Sequence, residues 1–180
     1  MTAIGMLCTL ASTVHAEAAG KAALAEQNRA MLEQIEQIHA YDAKKMAALR
    51  AIVAGAPYVG QGNPAVAVHP MTPEQCTEKL KSRSVNYERP DYDQICGARY
   101  MAPLYDPATE RPQDATACID RFEFPNVPCA YPVVWVRARE AAQICASVGK
   151  RLCDAHEWED ACMGTRSAAD YRFNLARGQS

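Results

Sequence analysis

The chain lacks a dominant charge of either sign. Its 180 residues carry 19 Lys and Arg against 21 Asp and Glu, a formal charge of −2. It has no basic run of five or more, so it presents no electrostatic footprint for nucleic acid. Aromatic residues are scarce, at 7%, and with many alanines this predicts a modest core. No two cysteines stand in a CxxC pair. Zinc modules bring their ligands in close pairs, so the spacing argues against one. No apolar run reaches the ~20 residues that a helical membrane span requires. There is no internal repeat. Between Lys21 and Val53 neither Gly nor Pro occurs, so nothing local stops a helix there.

What is present begins with MTAIGMLCTLASTVHA, which has no Lys, Arg, Asp or Glu and ends in the small-residue pattern Val14-His15-Ala16. Residues 1–16 are therefore expected to be a signal peptide, although the usual basic start is missing. Cysteine usage points the same way. Seven of the eight cysteines lie beyond residue 16, and widely spaced cysteines in an exported chain read as disulfides. Seven is odd, which leaves at least one thiol unpaired within the chain. A secreted or periplasmic location follows as an expectation.

Residues 17–55 are expected to form one long amphipathic helix. Leu24, Met31, Ile35, Ile38, Met46, Leu49 and Ile52 trace a single apolar stripe at helical spacing, interrupted by Asp42. Gly55 and Pro57 form its stop. The stripe suits either a self-associating coiled-coil arm or a helix packed on its own domain. Residues 56–116 form a Pro-rich connection, since eight of the eleven prolines fall between Pro57 and Pro112. Within it, Thr72 and Pro73 open a short helix as N-cap and first residue. Cys76 and Cys96 are the favoured disulfide there, with Cys118, Cys129 and Cys153 competing for another. From residue 117 onward, CIDRFEFP alternates like a strand, VVWV is a short apolar strand, and RAREAAQICASVG is a helix closed by Gly149.

The chemistry-bearing types concentrate in GKRLCDAHEWEDACMG, residues 149–164. Asp154 and Glu157 are spaced as a capping box. The His156-Glu157 pair does not complete HExxH, because Asp160 stands where the second histidine belongs. Glu157, Glu159 and Asp160 read as solvated charges on a short helix. Cys153, just ahead of a helix N-terminus, is a candidate for a lowered thiol pKa, though a disulfide is the favoured fate.

PVVWVRAREAAQICASVGKRLCDAHEWEDACMG resembles the sulfatase-modifying-factor, or formylglycine-generating-enzyme, family. Gly149, Lys150, Arg151, Leu152, Glu157, Trp158 and Glu159 stand in the places of that family's Gly-Lys-Arg-Leu and Glu-Trp-Glu motifs. CIDRFEFPN is similar to its earlier strand, so the likeness covers residues 118–165. Cys153 departs from the family's proline and Asp154 from its threonine. The resemblance implies an α+β fold related to C-type lectins, here partial and preceded by the long helix. It implies oxidation of a protein cysteine to formylglycine as the family activity. The family's second-half signature Gly-Asn-Val-Trp-Glu-Trp does not occur before Ser180. Residues 117–180 are thus expected to be the first part of such a domain, inactive by itself.

The resemblance further implies copper, with calcium, only for a complete member, and no catalytic, metal or cofactor residue within this chain. Cys145 and Cys162 match cysteines that pair with the family's second half, so they are expected as free thiols. Trp158 is expected to be a large buried side chain, with Arg151 pairing Glu157 or Glu159. Two non-enzymatic readings stand beside this one: a lectin-fold binding module, and an envelope-associated structural protein assembled through its N-terminal helix. Neither names a partner.

Overall fold

A computed structural model of the protein describes residues 7–62, 69–155, 157, 158 and 161, with side chains from residue 20 onward. Helix α1 (Leu7–His39) is followed by α2 (Ala43–Gly55), α3 (Pro73–Ser82) and α4 (Pro90–Cys96). Strand β1 (Met101–Leu104) pairs antiparallel with β2 (Ala117–Asp120), and α5 (Ala138–Ser147) comes last. The arrangement is α+β, with helices predominating over one small sheet.

The single helix expected over residues 17–55 is two. Ala40 takes a left-handed φ of 50° and the chain reverses. Asp42, which interrupts the apolar stripe, is the N-cap of α2, its carboxylate accepting from the Lys45 N–H at 2.8 Å. Arg50 meets Glu36 at 2.6 Å. On one straight helix residues 14 positions apart would lie about 21 Å from each other, so this ion pair exists only because the helix folds back. The stripe is consumed within the chain. Met31, Leu32 and Ile35 of α1 pack with Met46, Leu49 and Val53 of α2, and Ile144 and Val148 from the α5 end complete the core. The helical pair is therefore part of the domain, rather than a separable arm.

The loop read as GAPYVGQGNP also contributes. Val59 is buried in the core, and Asn28 of α1 donates to its carbonyl at 2.8 Å. Gly60 lies so close to α1 that a Cβ would come within 2.6 Å of Asn28 Oδ1 and of Leu24 Cδ1. Its partner across an isolated antiparallel bridge is Val134. That bridge is all that forms of the strand expected at VVWV. Trp135 turns out at φ 58° and is 78% exposed.

Helix α3 opens with the expected cap: the Thr72 hydroxyl accepts from Gln75 N–H, and Gln75 Oε1 accepts from Thr72 N–H. The favoured Cys76–Cys96 pairing does not occur. Cys76 is bonded to Cys129 and Cys96 to Cys118, with Cα separations of 5.7 and 5.9 Å. The reason is packing. Helix α4 lies on β1, which places Cys96 beside β2 and its Cys118, while α3 lies along the segment around Cys129. Above β2, Tyr87, Tyr100 and Phe122 meet edge to face with centroids 5.8–6.2 Å apart.

Candidate functional site

Ionisable groups converge where the end of β2, the α1–α2 reversal and the turn after α5 meet. The turn after α5 is set first. Gly149 adopts φ 84°, a conformation that side chains resist. Its N–H bonds to Ala146 O at 3.1 Å and the Lys150 N–H to Cys145 O at 2.8 Å. This closes the helix as expected and aims Lys150 back under it. Lys150 Nζ then meets Asp120 Oδ1 at 2.5 Å, both side chains being largely shielded from solvent. Asp120 also accepts from Asn126 Nδ2 at 3.0 Å.

Asn126 is 1% exposed and sits at φ 57°, after the cis Phe124–Pro125 peptide. Its Oδ1 accepts from Phe122 N–H and its amide also reaches Arg99 O. It thereby joins the turn to β2. No functional reading of CIDRFEFPN singled it out. The available signal was Asn directly after Pro, since Asn tolerates the left-handed conformation.

The α1–α2 reversal forms the opposite wall. His39 Nε2–H donates to Pro125 O at 3.1 Å, and its ring stacks on Tyr41. Burial, foremost, pushes the His39 pKa below its ordinary value, and nearby Lys150 adds to this. Burial thus favours the neutral imidazole. Burial raises the pKa of the nearby Tyr41 hydroxyl, and the Lys150 charge works against that rise.

Two free thiols adjoin this wall: Cys145, half-buried, and Cys153, exposed. Burial is the main reason the Cys145 pKa is raised, and the Asp120 charge adds to it. The Cys153 thiol is raised too, by burial and then by Glu157. The thiol expected to be lowered at a helix start is therefore raised, because burial, and after it the Glu157 carboxylate, disfavours the thiolate. Its expected disulfide is also absent.

Beyond Cys153, the capping box forms. Glu157 N–H donates to Asp154 Oδ1 at 2.9 Å and Asp154 N–H to Glu157 Oε2 at 3.0 Å. Arg151 holds Glu157 in a two-pronged pair. That hydrogen bonding brings the Glu157 pKa down to about 2. Leu152 is 46% exposed, and Trp158, expected to be buried, is 54% exposed. His156, Glu159, Asp160 and Cys162 lie outside the described residues.

The arrangement binds its own charges to one another. Among the described residues no group of three or more His, Cys, Asp and Glu is placed to hold a metal ion. A second concavity of about 430 Å³ lies between α3 and the Pro128–Tyr131 segment, lined by Glu74, Glu78, Lys81 and Gln34. Its charges are of both signs, and it does not communicate with Asp120 through any of these residues. Among the described residues no helix is long and apolar enough to cross a membrane. No family model matches the chain, and neither a curated protein nor a solved structure is similar to it.

Proposed function

We propose that the chain is an exported, disulfide-stapled protein carrying the first part of a lectin-type, formylglycine-generating-enzyme-like domain, and that this part supplies scaffold rather than chemistry. One observation carries the reading. The two segments that bear the resemblance, CIDRFEFPN and GKRLC, meet at the Asp120–Lys150 ion pair. Residues 30 positions apart would have no reason to share a shielded charge pair unless the two motifs are parts of one folding unit. The groups around that pair serve each other: Asn126 and Lys150 satisfy Asp120, and His39 donates to Pro125 O. The two disulfides fit an oxidising compartment. The test is incubation of the purified chain with a cysteine-containing sulfatase peptide, with and without copper, and capture of aldehyde by a hydrazide. Aldehyde equal to the no-protein control is expected, and aldehyde above it would overturn the scaffold reading.

A non-catalytic binding module is the second reading, favoured by the outward Tyr58 and Trp135 at 67% and 78% exposure. Aromatic rings so presented suit stacking on a ligand face. Under this reading a glycan panel would quench tryptophan fluorescence in the protein and not in Trp135→Ala.

A further inference from the structure

The free thiols Cys145 and Cys153 have no role in the scaffold reading, and the turn that separates them is unusually constrained. Cys145 ends the buried side of α5, and its carbonyl accepts from both Val148 and Lys150 N–H, at 3.2 and 2.8 Å. Gly149 at φ 84° turns the chain back across the helix end. Lys150 is then anchored to Asp120, so the main chain leaves this point close to Cys145 with only Arg151 and Leu152 before Cys153. Both thiols lie within the field of the Asp120 carboxylate, and Cys145 also lies within that of Cys153. The other described cysteines are already closed in disulfides.

We propose that Cys145 and Cys153 form a dithiol that closes to a third disulfide, strapping the 149–152 turn across the end of α5, by exchange with a small-molecule disulfide of the glutathione class. The order of events follows from exposure. Cys153, open to solvent, loses its proton and attacks one sulfur of the small disulfide. A Cys153 mixed disulfide forms and one thiolate leaves. The half-buried Cys145 then loses its proton and attacks Cys153 Sγ, expelling the second thiolate. Two protein thiols are oxidised and one small disulfide is reduced to two thiols, its leaving thiolates taking up the two protons that Cys153 and Cys145 gave up. The charged and titratable groups facing the pair are Asp120 and Lys150 with Tyr41 on the Cys145 side, and Glu157, Arg151 and Asp154 on the Cys153 side. Burial, and after it the carboxylates, disfavours the thiolate, so the first attack is slow at neutral pH. It should quicken about tenfold per pH unit while the pH stays below the thiol pKa.

The test uses the full chain, oxidised glutathione and mass mapping. Trypsin leaves Cys145 in residues 140–150 but keeps Cys153 and Cys162 together in residues 152–166, so a glutamate-specific protease must also cut after Glu157. Expected is a linked Cys145–Cys153 peptide with no retained glutathione. In Cys145→Ser the resolving thiol is gone and Cys153 should keep one glutathione. Cys145→Ala repeats that arm should the polar substitution disturb α5. Stable glutathione on Cys153 of the unsubstituted protein, a Cys145–Cys162 link, or both thiols still alkylatable after oxidation at raised pH would each overturn the proposal.

Discussion

The helices α1, α2 and α5 and the stretch from Thr72 to Cys129 are stabilised by different means. In the first region fully buried apolar side chains do the work: Ile35 and Leu49 are 0% exposed, and Met31 and Met46 are 2% exposed. Among the described residues no disulfide joins these helices to each other. In the second region α3 and α4 bury no residue completely, and the chain is held by two disulfides, one aromatic triad and polar contacts. Short helices with little apolar surface cannot offset their conformational entropy alone. Covalent links supply what burial does not, chiefly by restricting the unfolded chain. The Asp120–Lys150 pair lies at the seam between the two regions.

Truncating the core should break the comparison most severely. Leu49→Ala removes a side chain that both α1 and α5 enclose, and should cost about 4 kcal/mol, within the usual range for buried leucine truncations. Urea unfolding checks it, and a cost below about 1 kcal/mol would mean that the helical region does not depend on its apolar core.

Opening the Cys76–Cys129 link with paired serine substitutions should cost about 3 kcal/mol, because its loop of 53 residues is long. Amide exchange should quicken in α3 and around Cys129 far more than in α2. Uniform acceleration would show that the two regions unfold as one.

At the seam, Lys150→Met keeps much of the stem's packing but leaves Asp120 with Asn126 as its remaining partner. A loss of about 1–3 kcal/mol is expected for a shielded charge deprived of its partner, and Asp120→Asn in the same background should recover part of it. Thermal unfolding of the two variants distinguishes the outcomes, and recovery would be missing if the pair were freely solvated.

The smallest effect is a pH dependence. Because the folded-state pKa of His39 is depressed below 6.5, its contribution is full above that pH. It is lost as the pH falls, since the unfolded chain takes up the proton first. Midpoints of urea unfolding should decline below pH 6.5, and His39→Phe should flatten this part of the profile.

Local elements were legible wherever the signal was itself local. Thr72 with Pro73, Gly149 after Val148, and Asp154 with Glu157 each form the cap that their spacing implies, because a capping hydrogen bond closes within a few residues. The helical reversal at Ala40 was not legible. An apolar stripe obeys the same period whether the helix runs straight or folds back on itself, and Ala-Tyr-Asp contains none of the usual breakers. Asp42 was visible as an interruption, but its role as an N-cap required knowing that a helix begins there. The candidate site was divided in the same way. Lys150 and the 149–158 motif could be singled out, whereas Asn126, His39 and Tyr41 could not, since their partners are remote in the chain.

Helix α4 escaped the sequence reading, which saw only a Pro-rich connection there, but by itself the amino-acid sequence determined that the segments of α1, α2, α3 and α5 are helical, where several of their caps fall, and which side chains are available to a core. Those properties depend on neighbours one helical turn away. Tertiary structure alone decided that the N-terminal stripe folds onto itself and α5, that Cys76 bonds Cys129 and Cys96 bonds Cys118, and that Asp120 receives Lys150. Each of those outcomes is a choice among partners of similar chemistry. The choice is made by which surfaces the apolar core brings within a few ångströms, and spacing along the chain does not encode that distance.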